Sequence, residues 1–156
     1  MPTFMQSGAH SNSGSTGGSK LLLPWYSGRS PISNFFAGRH TEIVGTSDNS
    51  LVLDRVQLRE VTLDDEDLMR ELLSALIADT EQQMPLLDLA IQRTDLTQCA
   101  SLAHYSKGAC ANVGARAAAS VLADLERSAK NGAVSECGRQ LAALAVEVDR
   151  LRAERI

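Results

Sequence analysis

The chain has 156 residues and a formal net charge of −4, enough for one compact domain with a tail. A mildly acidic chain lacks the clustered Lys and Arg that meet a phosphate backbone, which argues against a general nucleic-acid binder. The charge is also uneven. Residues 1–40 contain no Asp or Glu, only Lys20, Arg29 and Arg39 among formal charges, so the acidic part is the part expected to fold.

Cys99, Cys110 and Cys137 are far apart and odd in number, which fits neither a disulfide framework nor a Cys-x-x-Cys metal pair. No apolar run approaches the roughly 20 residues of a membrane span. Leu21, Leu22 and Leu23 are cut off by Pro24, too short for a secretory core. A cytoplasmic protein with reduced thiols and no membrane partner is expected.

Residues 7–19 are nearly all Gly, Ser, Asn and Ala, a composition that cannot bury enough surface to offset chain entropy. The stretch to Ser50 mixes Pro24, Pro31 and glycines with Trp25, Tyr26, Phe35 and Phe36. Residues 1–50 are therefore expected to be a flexible, disordered N-terminal arm, and residues 51–156 the folded domain. The aromatics of the arm read as incidental apolar content or as a short docking peptide.

From Leu51 the pattern becomes helical. Leu53, Val56 and Leu58 suit a short leading helix, and Thr62, Asp64 and Asp65 supply capping chemistry for the next. Leu68, Leu72, Leu73, Leu76, Ile77, Met84, Leu87 and Ile91 then recur every three or four residues as one apolar stripe. Pro85, lacking a backbone donor, is expected to kink or split that helix near Gln82 and Met84.

A third segment opens at Thr94 and Asp95, and Gly114 suits its left-handed C-terminal cap. A fourth carries Ala118, Val121, Leu122, Leu125 and Ala129 and stops at Asn131 and Gly132. The last carries Val134, Cys137, Leu141, Leu144, Val148 and Leu151. Arg150, Arg152 and Arg155 lie at its negative end. The expected fold is all-α, an up-and-down four-helix bundle with short loops.

The chemistry concentrates in residues 97–115, TQCASLAHYSKGACANVGA. At about 100° per residue, Cys99, Leu102, Ala103, Ser106, Ala109, Cys110 and Val113 share one side, the core face. His104 lies opposite, with Lys107 and Gly108 beside it at the three- and four-residue spacings. Ala100 and Ala111 flank it with small side chains. A glycine inside a helix costs about 1 kcal/mol relative to alanine, and close approach of another molecule to the imidazole gives Gly108 a reason to be there. Neutral imidazole offers a nitrogen lone pair near neutral pH, and Lys107 would offset the charge of a phosphoryl group. The bland reading is an exposed histidine without a role. A zinc site or a Cys–His nucleophile built from Cys99, His104 and Cys110 fails, because the cysteines sit across the helix from the imidazole.

The string Ala103-His104-Tyr105-Ser106-Lys107-Gly108, followed by Gly114-Ala115 and later Leu125-Glu126, resembles the histidine-phosphotransfer (Hpt) family of two-component phosphorelays. The resemblance covers roughly residues 53–152. It implies an Hpt-like bundle with His104 as phosphoacceptor, Lys107 as electrostatic support and Gly108 as access for a receiver. One departure is Ser106, where the family usually carries an apolar residue; on the core face its hydroxyl is expected to bond a carbonyl one turn back.

The same resemblance implies a response-regulator receiver domain or a sensor histidine kinase as partner. An imidazole nitrogen would attack the phosphorus of a phospho-aspartate in line, while the receiver supplies Mg²⁺. No cofactor of the chain's own is expected. Neither a P-loop nor another nucleotide motif is present, which leaves no basis for autonomous kinase activity. The alternatives are a non-catalytic helical adaptor bundle and a metal-binding bundle.

Overall fold

The computed structural model describes residues 51–156. The expected N-terminal arm, with the apolar stretch 21–26 and Phe35 and Phe36, lies outside the described residues. Those described form five helices and no strand: α1 (Arg55–Thr62), α2 (Glu66–Gln92), α3 (Leu96–Val113), α4 (Arg116–Lys130) and α5 (Val134–Ala153). The last four are joined by two- or three-residue loops, which force neighbours antiparallel. Helix α2 packs on α3, α3 on α4, α4 on α5 and α5 back on α2, closing a four-helix bundle. The short α1 lies against α2 and α3.

Local chemistry sets most of the boundaries. Asp54, Asp65 and Asp95 cap α1, α2 and α3, their carboxylates accepting backbone N–H groups of the first turn. Gly114 ends α3 at φ 90°, as its sequence position suggested. Thr62 does not start α2. It closes α1, buried, with its hydroxyl donating to the Leu58 carbonyl at 2.9 Å. Leu63 and Asp64 then make the turn at φ 55° and 62°.

The core is one cluster drawn from all five helices, including Leu58, Leu76, Leu87, Leu122, Leu125 and Leu144, all fully buried. Each such leucine contributes roughly 1.5–3 kcal/mol by leaving water. Val56 departs from the expected pattern. It faces solvent, and Leu53, just ahead of α1, joins Leu58 in the core.

Of the kink or split expected at Pro85, the split does not occur, because α2 is helical through it. Leu72, Leu73 and Leu76 before it, and Leu87, Ala90 and Ile91 after it, bury against the same core. That packing outweighs one missing backbone bond. Pro85 and Glu81, whose carbonyl loses its partner, are both exposed, so water can take the vacated place.

Helix α1 is stapled over the turn that follows α3. The Asp54 N–H donates to the Gly114 carbonyl at 2.8 Å, and Arg116 donates to Asp54 Oδ2 at 2.8 Å. Gln57 donates from its side chain to the Ala111 and Asn112 carbonyls. Gly114 is needed here twice over. Besides its positive φ, a Cβ would sit 2.8 Å from the Asp54 carbonyl oxygen.

Candidate functional site

Helix α3 divides as its wheel foretold. Cys99, Leu102, Ala103, Ser106, Ala109, Cys110 and Val113 are all buried. His104 is on the opposite side, with its side chain 68% exposed. Lys107 and Gly108 follow on the same surface and are half-buried. A Cβ built on Gly108 meets nothing within 4 Å, so packing inside the chain does not demand glycine there.

The residue that sequence reasoning left without a role is Glu126 on α4. Its side chain is only 9% exposed, yet it carries three polar contacts. Oε1 lies 3.1 Å from His104 Nδ1 and 2.5 Å from Lys130 Nζ, and Oε2 accepts from Lys107 Nζ at 2.7 Å. Leu125-Glu126 formed part of the family resemblance, but nothing along the chain revealed that its carboxylate meets the imidazole. Lys130, one turn further on α4, was missed for the same reason.

This geometry fixes the proton on the ring. Lysine hydrogen bonds, first from Lys107 and then from Lys130, pull the Glu126 carboxyl down to about 2. At neutral pH it is ionised and can only accept. His104 Nδ1 must therefore be the donor, and in neutral imidazole that leaves the lone pair on Nε2. Lys107 also occupies a place not foreseen: its ammonium is bonded to the carboxylate beside the ring.

Among the described residues the rival chemistries find no geometry. Cys99, Cys110 and Cys137 are fully buried free thiols. Burial raises Cys99 to about 11 and Cys110 to about 12, so neither is a thiolate at neutral pH. Among the described residues no group of three or more His, Cys, Asp or Glu side chains is placed to hold a metal ion. No helix among them is long and apolar enough to cross a membrane.

Comparison with known proteins agrees with the helical bundle. The Hpt domain model matches residues 71–154, more than half of the chain. The chain belongs to the Hpt domain family, phosphocarrier modules of two-component signalling. It is 33% identical over 95 residues to the sensor histidine kinase AruS of Pseudomonas aeruginosa PAO1. That alignment takes in 58% of this chain and only 10% of the relative, so the chain spans about a tenth of that kinase's length. In structure it is similar to histidine-containing phosphotransfer protein B (HptB) of P. aeruginosa PAO1. The TM-score is 0.50 at 26% identity, covering 67% of this chain and 97% of that one.

Proposed function

We propose that this Hpt protein carries the phosphoryl group on His104 Nε2, taking it from the phospho-aspartate of a receiver domain or from a kinase and passing it on. The observation that carries the reading is the exposed imidazole whose inner nitrogen is held by the ionised Glu126.

In the forward step the Nε2 lone pair attacks phosphorus in line. A P–N bond forms, the P–O bond to the aspartyl carboxylate breaks, and its electron pair stays on that carboxylate. The ring gains positive charge while Nδ1–H remains on Glu126, whose negative charge is close enough to offset it. Lys107 Nζ is a neighbour of the same ring and can turn from Glu126 toward the phosphoryl oxygens. Gly108 leaves a low surface beside the imidazole, which suits the approach of a receiver. The chain then needs to position a nucleophile, and Mg²⁺ with most of the remaining stabilisation belongs to the receiver. No kinase activity of its own is assigned.

The direct test incubates the chain with a phosphorylated receiver and looks for acid-labile, base-stable label. Label on the native chain and none on His104→Gln is expected. Label persisting on His104→Gln, or none on a correctly folded native chain across a full set of receivers, would leave a binding bundle without chemistry as the better account.

A further inference from the structure

Between Leu51 and Ile156 the chain has two lysines, Lys107 and Lys130, every other fixed cation being an arginine. Both lysines end on one buried carboxylate, that of Glu126. In phosphotransfer Lys107 has a part beside the phosphoryl oxygens. Lys130 holds the oxygen nearest the imidazole.

The two oxygens of Glu126 are held differently. Oε2 accepts from Lys107 Nζ at 2.7 Å, a bond that crosses from α3 to α4. Oε1 accepts from Lys130 Nζ at 2.5 Å and also meets His104 Nδ1 at 3.1 Å. A carboxylate has about four lone-pair sites, so three donors fit without displacing one another. Lys130 lies four residues after Glu126 on α4, the order in which glutamate and lysine pair best on a helix. Its bond therefore needs nothing from α3. The Lys130 side chain is 64% exposed, but the carboxylate it reaches is 9% exposed, so the pair is screened less than one wholly at the surface.

Charge decides which lysine is free to move. A phosphoryl group on His104 brings negative charge to the outer face of α3, beside Lys107. Were Lys107 the sole partner of Glu126, the carboxylate and the phosphoryl group would compete for one ammonium. Each outward turn of Lys107 would then strip a buried carboxylate of its cation. Two lysines remove that conflict. Lys130 keeps Glu126 in place from its own helix while Lys107 turns to the phosphoryl oxygens.

We infer that Lys130 is a positioning residue of the phosphotransfer site, clamping Glu126 against His104 Nδ1 from within α4 so that Lys107 is free to serve the phosphoryl group. The inference rests on the proposed phosphotransfer, but the clamp itself can be measured without it.

Nitrogen-15 NMR of the unphosphorylated chain reads which nitrogen of His104 carries the hydrogen. Lys107→Ala should keep it on Nδ1, because Lys130 still holds Glu126, and adding Lys130→Met should let the ring populate both tautomers. A double variant that keeps the single tautomer would overturn the clamp whatever the chain does with phosphate. Lys130 is exposed, so helix content of Lys130→Met should match the native chain. In single-turnover transfer from a phosphorylated receiver, its rate at saturating receiver should fall on the order of tenfold, with the half-saturating concentration unchanged. Lys130→Arg should recover most of the loss. A native rate in Lys130→Met, or a loss confined to the half-saturating concentration, would overturn the positioning role. His104→Gln separates the two levels. Label persisting on it contradicts the phosphotransfer reading and the inference together; without that label, a native rate in Lys130→Met counts against Lys130 alone.

Discussion

His104 Nδ1 lies 3.1 Å from Glu126 Oε1, an interaction that joins two helices across 22 residues of sequence and sets which ring nitrogen faces solvent with its lone pair. Glu126 in turn is held by Lys107 and Lys130, so the imidazole is oriented by a carboxylate that is itself anchored.

Glu126→Gln should therefore slow phosphotransfer while leaving helix content unchanged. An amide can turn its NH₂ toward Nδ1 and favour the tautomer with its hydrogen on Nε2, which cannot attack. A loss on the order of tenfold or more is expected, the scale for removing a supporting bond to a working imidazole. Single-turnover transfer from a phosphorylated receiver measures it, and an unchanged rate would remove Glu126 from the site. Lys107→Ala should also slow transfer, with Lys130 still anchoring the carboxylate.

Glu126 also predicts an acid limb in stability. Its carboxyl sits at about 2 in the folded chain against an ordinary value of 4.5. A depressed carboxylate stabilises the fold fully above the unfolded value and loses that contribution as pH falls through the folded one. Between about pH 4.5 and 2 the native chain should lose stability faster than Glu126→Gln, which has no proton to bind there. Urea unfolding across that range gives the comparison, and parallel curves would contradict the pairing.

Gly108 separates folding from docking. Its Cβ position is open, so Gly108→Ala should raise stability by about 1 kcal/mol, the usual difference in a helix interior. Gly108→Leu should fold normally yet block transfer by filling the surface next to the imidazole. Thermal unfolding and transfer rates, measured on both variants, distinguish the two effects; full transfer by Gly108→Leu would show the clearing is not needed.

Gly114 should behave oppositely. Gly114→Ala places a side chain at φ 90° and 2.8 Å from the Asp54 carbonyl oxygen, so the α1 staple must shift. The left-handed conformation alone costs roughly 1–2 kcal/mol for a residue with a Cβ, and the clash adds to it. Chemical denaturation should show a loss of at least that size, and a variant as stable as the native chain would contradict the geometry.

The face of α3 was legible in the sequence because helical periodicity is a local property: every residue placed inward on the wheel is buried. Gly114 was legible for a similar reason, since only glycine adopts that cap easily. Glu126 acquired no role because its contact with His104 depends on the rotation of α4 against α3, which no spacing along the chain encodes. The split at Pro85 does not occur because proline's effect on an isolated helix is local, whereas the leucines on either side of it are fixed by the whole core. Ser106 was expected to bond a carbonyl one turn back in α3; it is buried, and its hydroxyl makes no such bond.

The central claim is that phosphorus bonds to Nε2 of His104 while Nδ1 stays with Glu126. Nitrogen-15 NMR of the phosphorylated chain measures this directly, since phosphorus couples to the nitrogen that carries it. Coupling to His104 Nε2, with Nδ1 still protonated, is the predicted result. Coupling to Nδ1, or phosphate on any other residue, would contradict it.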